Sequence, residues 1–282
     1  MKYYDRATKE ILQEDEYGQG VLRFLYNTFI GRGILRIIVK PFFSKLAALY
    51  KRSRLSKGSI PKFVKRYNVE VTPEQMASFK SFNDFFTRER RVEFSGGENE
   101  LCSVADSRVS IYPITKELRL EMKNSVYTVS ELTRDEALAR RFAGGSCIVF
   151  RLALDDMHHY YYADSGRVLS CTEYDGELHT VRSISESHRV FVRNKQTVTV
   201  METAHLGHAV QIEIGALMVG KIINHPVESF DRGDEKGYFE LGGSTVVLLT
   251  EKPVHPDDDI EAVLKDGLEV RVRAGERIGR IC

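Results

Sequence analysis

The feature that most limits how this chain can fold is a change in the period of its apolar residues near Ser103. Upstream, Leu22, Phe24, Leu25, Phe29, Ile30, Ile34, Leu35, Ile37 and Ile38 recur at close to helical spacing, and Pro41 is expected to break the run into two helices. Thr72-Pro73-Glu74-Gln75 has the form of a capping box with proline at the first helical position, which predicts a helix ending near Phe79. Ser81 should open another short helix whose Phe82, Phe85 and Phe86 face a core. Downstream the enrichment is in β-branched and aromatic residues. Strands are expected over 109–112, 146–152 and 168–170, with one helix at about 132–142 between them. Segments 190–192 and 197–200 read as a hairpin, and 210–214 and 268–272 alternate as half-buried antiparallel strands should. The expected fold is α+β, with N-terminal amphipathic helices on a largely antiparallel β core and no linker between independent domains.

Composition matters through its distribution. The formal net charge is +1, yet no acidic residue lies between Tyr17 and Val69, where Arg23, Arg32, Arg36, Lys40, Lys51 and Arg52 interleave with the apolar positions. Such a basic amphipathic helix pair suits the headgroup region of an anionic bilayer, each nearby Lys or Arg contributing roughly 1 kcal/mol. Packing on the domain with solvated charges, and a nucleic-acid surface, are the alternatives. No nucleic-acid module accompanies the charge, so nucleic acid is not an expected partner. The first twenty residues lack an apolar core segment and no run of about eighteen apolar residues occurs, so neither a secretory signal nor a spanning helix is expected. Cys102, Cys147, Cys171 and Cys282 are scattered, which predicts no zinc site, no disulfide framework and a reducing, cytoplasmic setting.

The chemistry is concentrated in Gly233-Asp234-Glu235-Lys236-Gly237-Tyr238-Phe239-Glu240-Leu241-Gly242-Gly243-Ser244-Thr245, which runs into Val246-Val247-Leu248-Leu249. Glycine leaves the backbone free to take unusual torsions, and serine sets a hydroxyl beside the preceding carbonyl. Attack of the Ser244 oxygen on the Gly243 carbonyl would turn the amide into an ester. Elimination would leave a dehydroalanine, and loss of ammonia would leave a pyruvoyl group capping a chain that starts at 244. Taken alone, Gly-Gly-Ser-Thr marks an ordinary turn before a strand.

The whole block, however, resembles the C-terminal signature of the phosphatidylserine decarboxylase family, in which a Gly-Ser-Thr processing site follows a Gly-Asp-Glu-x-Gly-x-Phe lead-in. Further pieces occur in the family's order: Phe82-Asn83-Asp84-Phe85-Phe86-Thr87-Arg88-Glu89, Val104-Ala105-Asp106-Ser107, Arg151-Leu152-Ala153 with Asp156-Met157-His158, Gly176-Glu177-Leu178-His179-Thr180-Val181, and Ile214-Gly215-Ala216-Leu217-Met218-Val219-Gly220. The resemblance implies a self-processing proenzyme, cut between Gly243 and Ser244 into a β chain of residues 1–243 and an α chain of 244–282, with a covalent pyruvoyl cofactor derived from Ser244. It implies an aspartate, histidine and serine triad, for which Asp106, His158 and Ser244 are the matching residues. The family pattern Asp-Tyr-His-x-x-His has Tyr161 at its second histidine here. A phenol with a pKa of about 10 is a poor base, so His158 is expected to serve both self-cleavage and decarboxylation, with His159 or His179 as stand-ins. No metal is expected, because the adjacent His158 and His159 diverge in a strand and His205-x-x-His208 lacks companions at ligand spacing.

The implied substrate is phosphatidylserine, the implied product phosphatidylethanolamine and CO₂, and the expected location the cytoplasmic side of the cell membrane, held peripherally by a docking segment at 1–70 ahead of a catalytic domain at 71–282. A pyruvoyl decarboxylase of a soluble amino acid and a non-catalytic lipid-binding relative are the rival readings. Oligomeric state stays open, a homo-oligomer included.

Overall fold

The computed structural model describes residues 2–14, 19–40, 48–122, 125–180, 189–216, 221–240 and 244–282. A ten-stranded sheet runs, edge to edge, through Ser229–Phe230, Gly166–Tyr174, Gln196–Thr203, His208–Gly215, Ser244–Thr250, Ser146–Leu152, Ser107–Pro113, Glu269–Val272, Lys2–Asp5 and Glu10–Gln13. Neighbours are antiparallel except Lys2–Asp5, which runs parallel to Glu269–Val272. The expected α+β class and largely antiparallel core are found, and the chain's first strands belong to that core.

The Ser244–Thr250 strand is central, and both its faces are covered. Val246 and Leu248 enter one core with Phe150, Leu152 and Val109, while Val247 and Leu249 enter a second with Ile212, Ile214 and Phe142. A strand buried on both sides needs apolar residues at successive positions, which is why Val-Val-Leu-Leu does not alternate. A smaller sheet of Lys221–Asn224, Glu235–Glu240 and His159–Tyr161 carries the approach to the Gly-Ser site.

The expected N-terminal signals are present. Thr72 and Gln75 form the reciprocal capping box of Pro73–Ser78, Ser81 caps Phe82–Phe86, and Phe82, Phe85 and Phe86 are buried together. Three expectations need correction. The helix at 132–142 is split into Val129–Thr133, Glu136–Ala139 and a 3₁₀ turn at Arg140–Phe142, because Arg134 adopts a left-handed conformation with φ 56°. Segment 190–192 is a single helical turn, Val190–Arg193, entered through left-handed Arg189, so the true partners of Gln196–Thr203 are its neighbours in the large sheet. The 210–214 strand is buried on both faces, Gln211 and Glu213 included.

The basic amphipathic segment forms two helices, α1 (Gln19–Asn27) and α2 (Phe29–Ile38), divided at Thr28, whose side chain accepts from Gly31 N at 2.9 Å. The expected break at Pro41 lies outside the described residues. Gly31 permits the tight turn: a Cβ there would stand 1.9 Å from the Phe24 carbonyl oxygen. Leu25, Tyr26, Leu35 and Val39 pack together, whereas Val21, Phe29, Ile30, Ile34 and Ile37 face outward, Phe29 at 87% and Ile30 at 69% exposure.

Candidate active site

Ser244 opens its strand at full burial, paired in register with Gly215 on one side and Leu152 on the other. Its Oγ has no hydrogen-bond partner among the described residues. Leaving a buried hydroxyl unpaired costs about 1–3 kcal/mol, so a native fold that tolerates one calls for a reason. Gly243, with Leu241 and Gly242, lies outside the described residues.

His158 supplies the complementary feature. Its Nδ1 lies 3.0 Å from the Asp156 carbonyl oxygen. A carbonyl oxygen can only accept, so Nδ1 carries the hydrogen and Nε2 is a bare lone pair. That Nε2 is buried and also has no partner among the described residues. Burial first, opposed by the bond to Asp156 and reinforced by the Arg88 cation, pushes the imidazole down to about 3, so the ring is neutral. Phe86 packs on it at 4.2 Å between ring centroids.

The backbone brings the serine and histidine segments together. The chain leaves Leu152, the register partner of Ser244, turns where Asp156 N donates to the Ala153 carbonyl at 3.1 Å, and reaches His158. The His158 carbonyl then accepts from Phe239 N at 2.9 Å, within the strand that leads into 241–243. Both flanks of the Gly-Ser bond are thus tied to the 152–158 turn. Arg108, buried beneath that turn, donates to Asp156 and, at 3.1 Å, to Asp155, and its guanidinium lies 4.8 Å from the Tyr3 ring. Arg88 donates to the Asp155 carbonyl at 3.0 Å.

Asp106 sits differently from the triad expectation. Its Oδ1 accepts from the Arg90 guanidinium and from Ala274 N at 2.8 Å, and it bonds to neither His158 nor Ser244. Tyr161 belongs to the same neighbourhood: burial raises its phenol well above the ordinary range, with Glu235 and Asp106 reinforcing and Arg90 opposing. The phenol therefore stays protonated at neutral pH. His179 has Nδ1 3.1 Å from the Tyr26 hydroxyl and Nε2 3.1 Å from Glu177. The Asn194 amide donates to both the His179 carbonyl, at 2.8 Å, and that of Gly215 opposite Ser244, at 2.7 Å. His179 is thus held beside the serine's strand partner with both ring nitrogens engaged. Sequence reading missed Asn194 and the Arg108–Asp156 pair. The consecutive Asp155-Asp156 beside an arginine-bearing strand was the one available signal for the latter.

A family model described as phosphatidylserine decarboxylase matches residues 82–280. A relative from Clostridium acetobutylicum, named phosphatidylserine decarboxylase proenzyme 2, is 41% identical over 98% of this chain and 97% of its own. Proteins named phosphatidylserine decarboxylase proenzyme from Ruminiclostridium cellulolyticum (35% identical, 99% of this chain and 97% of its own) and Clostridium novyi (34%, 99% of each) are similar along their whole length.

Proposed function

The chain belongs to the phosphatidylserine decarboxylase family, and from that premise we propose that it is a proenzyme which cuts itself between Gly243 and Ser244 and then converts phosphatidylserine to phosphatidylethanolamine and CO₂. The observation that carries this reading is that the Ser244 hydroxyl and the His158 Nε2 lone pair are both buried without a hydrogen-bond partner among the described residues, on segments joined through the Leu152 register and the Phe239–His158 backbone bond. One has a proton to lose and the other has room for one.

In the proposed maturation, His158 Nε2 takes the Ser244 hydroxyl proton as Oγ adds to the Gly243 carbonyl. The C–N bond then breaks, the proton passes to the departing nitrogen, and an ester links the two residues. Removal of the residue-244 α-hydrogen expels the Gly243 carboxylate and leaves a dehydroalanine. Water replaces its nitrogen, ammonia leaves, and a ketone remains at position 244. This pyruvoyl group, once formed, supplies a carbonyl for the substrate's amine and a sink for the electrons freed as CO₂ departs. In this reading His158, fixed by the Asp156 carbonyl, takes a proton at Nε2 from the substrate's ammonium group and gives it to the carbon that lost CO₂. Asp106 acts in this reading through Arg90 and the Ala274 turn, holding the wall of the site beside Tyr161.

Docking to an anionic bilayer on the cytoplasmic side is supported by the outward row of Phe29, Ile30, Ile34 and Ile37 on α2 and by Arg23, Arg32 and Arg36 on the same helix pair. No described helix is long and apolar enough to cross a membrane. Within the expected 1–70 segment, docking is assigned to α1 and α2, because Lys2–Asp5 and Glu10–Gln13 are strands of the large sheet and go with the catalytic domain at 71–282. The test is expression of the parent and of Ser244→Ala. The parent should resolve into two chains and decarboxylate phosphatidylserine in vesicles. Ser244→Ala should stay whole and inactive, and a cut Ser244→Ala protein would refute the assignment.

A further inference from the structure

On the far side of the His158 backbone, the next residue points into a cluster that the proposed reaction does not use. His159 is 1% exposed and its Nε2 lies 3.1 Å from the Thr87 carbonyl oxygen. That contact requires the hydrogen on Nε2, so in the neutral ring Nδ1 is a lone pair. Nδ1 is a buried atom without a hydrogen-bond partner among the described residues, although Glu235 Oε1 is 3.2 Å away, because the approach lacks hydrogen-bond alignment. A lone pair turned toward a carboxylate is repulsive unless something positive lies between them. Glu89 brings a second carboxylate, and one ligand atom from each of Glu89, His159 and Glu235 falls within 4.8 Å of the others.

We propose that Glu89, His159 and Glu235 form a binding site for one divalent cation of the zinc or manganese class. The donor set argues for that class: an imidazole nitrogen with two carboxylates suits borderline metals, whereas calcium and magnesium favour all-oxygen shells. Ligand atoms bonded to such an ion at about 2.0–2.2 Å lie up to roughly 4 Å apart. The set therefore closes with a small swing of Glu89, its exposed member. The Thr87 carbonyl fixes the imidazole tautomer, as second partners of metal-bound histidines do. His225 Nε2, 3.0 Å from Glu235 Oε1, orients that carboxylate, and Tyr238 stacks on His159 with ring centroids 5.1 Å apart. A bound ion would clip three segments together: the stretch after the Phe82–Phe86 helix, the His159–Tyr161 strand and the Glu235–Glu240 strand that leads to the Gly-Ser site. The role is structural, and it stands whether or not the decarboxylase reading holds.

The test is titration calorimetry and metal analysis of purified, chelator-stripped Ser244→Ala protein with Zn²⁺ and with Mn²⁺, alongside Glu89→Gln, His159→Gln and a His255→Gln control. Uptake of one ion per chain with a rise in melting temperature is expected. Glu89→Gln and His159→Gln should each weaken it by about tenfold or more, and His255→Gln should leave it unchanged. Glu89 is exposed, so its variant keeps the test valid should His159→Gln fold poorly. No uptake of either ion, or uptake that survives either ligand substitution, overturns the site.

Discussion

Replacing Glu213 by glutamine should cost more stability than removing any exposed ion pair of this protein. Lys236 Nζ lies 2.9 Å from Glu213 Oε1 and 2.8 Å from Asn224 Oδ1, while Asn224 Nδ2 donates to Glu213 Oε2 at 3.2 Å. Both charged side chains are essentially out of solvent, at 1% and 0% exposure. Burial raises the Glu213 carboxyl and Lys236 opposes that shift, so the pair survives by mutual compensation. Glu213→Gln keeps the shape but strands a buried ammonium, a class of change that costs about 3–5 kcal/mol. Glu213→Leu with Lys236→Met removes both charges and should return to within about 1 kcal/mol of the parent. Urea denaturation followed by far-UV circular dichroism, in a Ser244→Ala background that keeps the chain whole, measures both. The single change should also slow maturation when Ser244 is restored. Lys236 ties the strand entering 241–243 to the strand that pairs with Ser244–Thr250. A Glu213→Gln cost under 1 kcal/mol, or a double variant as unstable as the single, would refute this account of the pair.

Three other changes probe separate parts of the molecule. His158→Gln, which removes the Nε2 lone pair with little change in volume, should slow self-cleavage by about 10²–10⁴-fold while the melting temperature holds, as read by time-resolved gel analysis. Asp164 opposes burial, which raises its carboxyl, with bonds from His205 Nδ1 and from the amides of His205, Leu206 and Ser165, and the net shift is downward. A depressed folded-state pKa gives stability that is present above the unfolded value of about 3.9 and is lost as pH falls through the folded one. Asp164→Ala should therefore cost about 2–4 kcal/mol at neutral pH, with the gap to the parent closing in denaturation series taken below pH 4. Phe29→Ser with Ile30→Ser should weaken sedimentation with anionic vesicles on the order of a hundredfold without lowering the melting temperature, since both side chains are already exposed.

What could be read from the sequence follows the range of the forces involved. The Thr72–Gln75 capping box, the Ser81 cap and the Phe82, Phe85, Phe86 cluster depend on neighbours within a few residues, and they stand where their signals put them. The Val190–Arg193 turn has strand-forming residues but is held by distant partners: Glu177 N donates to the Arg193 carbonyl and Lys195 N to that of Glu177. The polar positions of 210–214 looked like a solvent face, yet Glu213 meets Lys236, a residue far along the chain, inside the protein. At the proposed site, Ser244 and His158 are the candidates that the family motif singles out. The tautomer that leaves His158 Nε2 as a lone pair was not readable, because the Asp156 carbonyl sets it through a turn. The cluster proposed as a cation site is not legible in the sequence for a related reason: His159 converges with carboxylates from two other segments.

Intact-mass analysis of the purified protein, before and after borohydride treatment with phosphatidylserine, tests the central proposal most directly. Two chains ending at Gly243 and beginning at 244 are predicted, the second lacking its amine and acquiring a lipid adduct at its first residue upon reduction. A single 32.2 kDa chain with an unmodified Ser244 that nonetheless decarboxylates the lipid would contradict it.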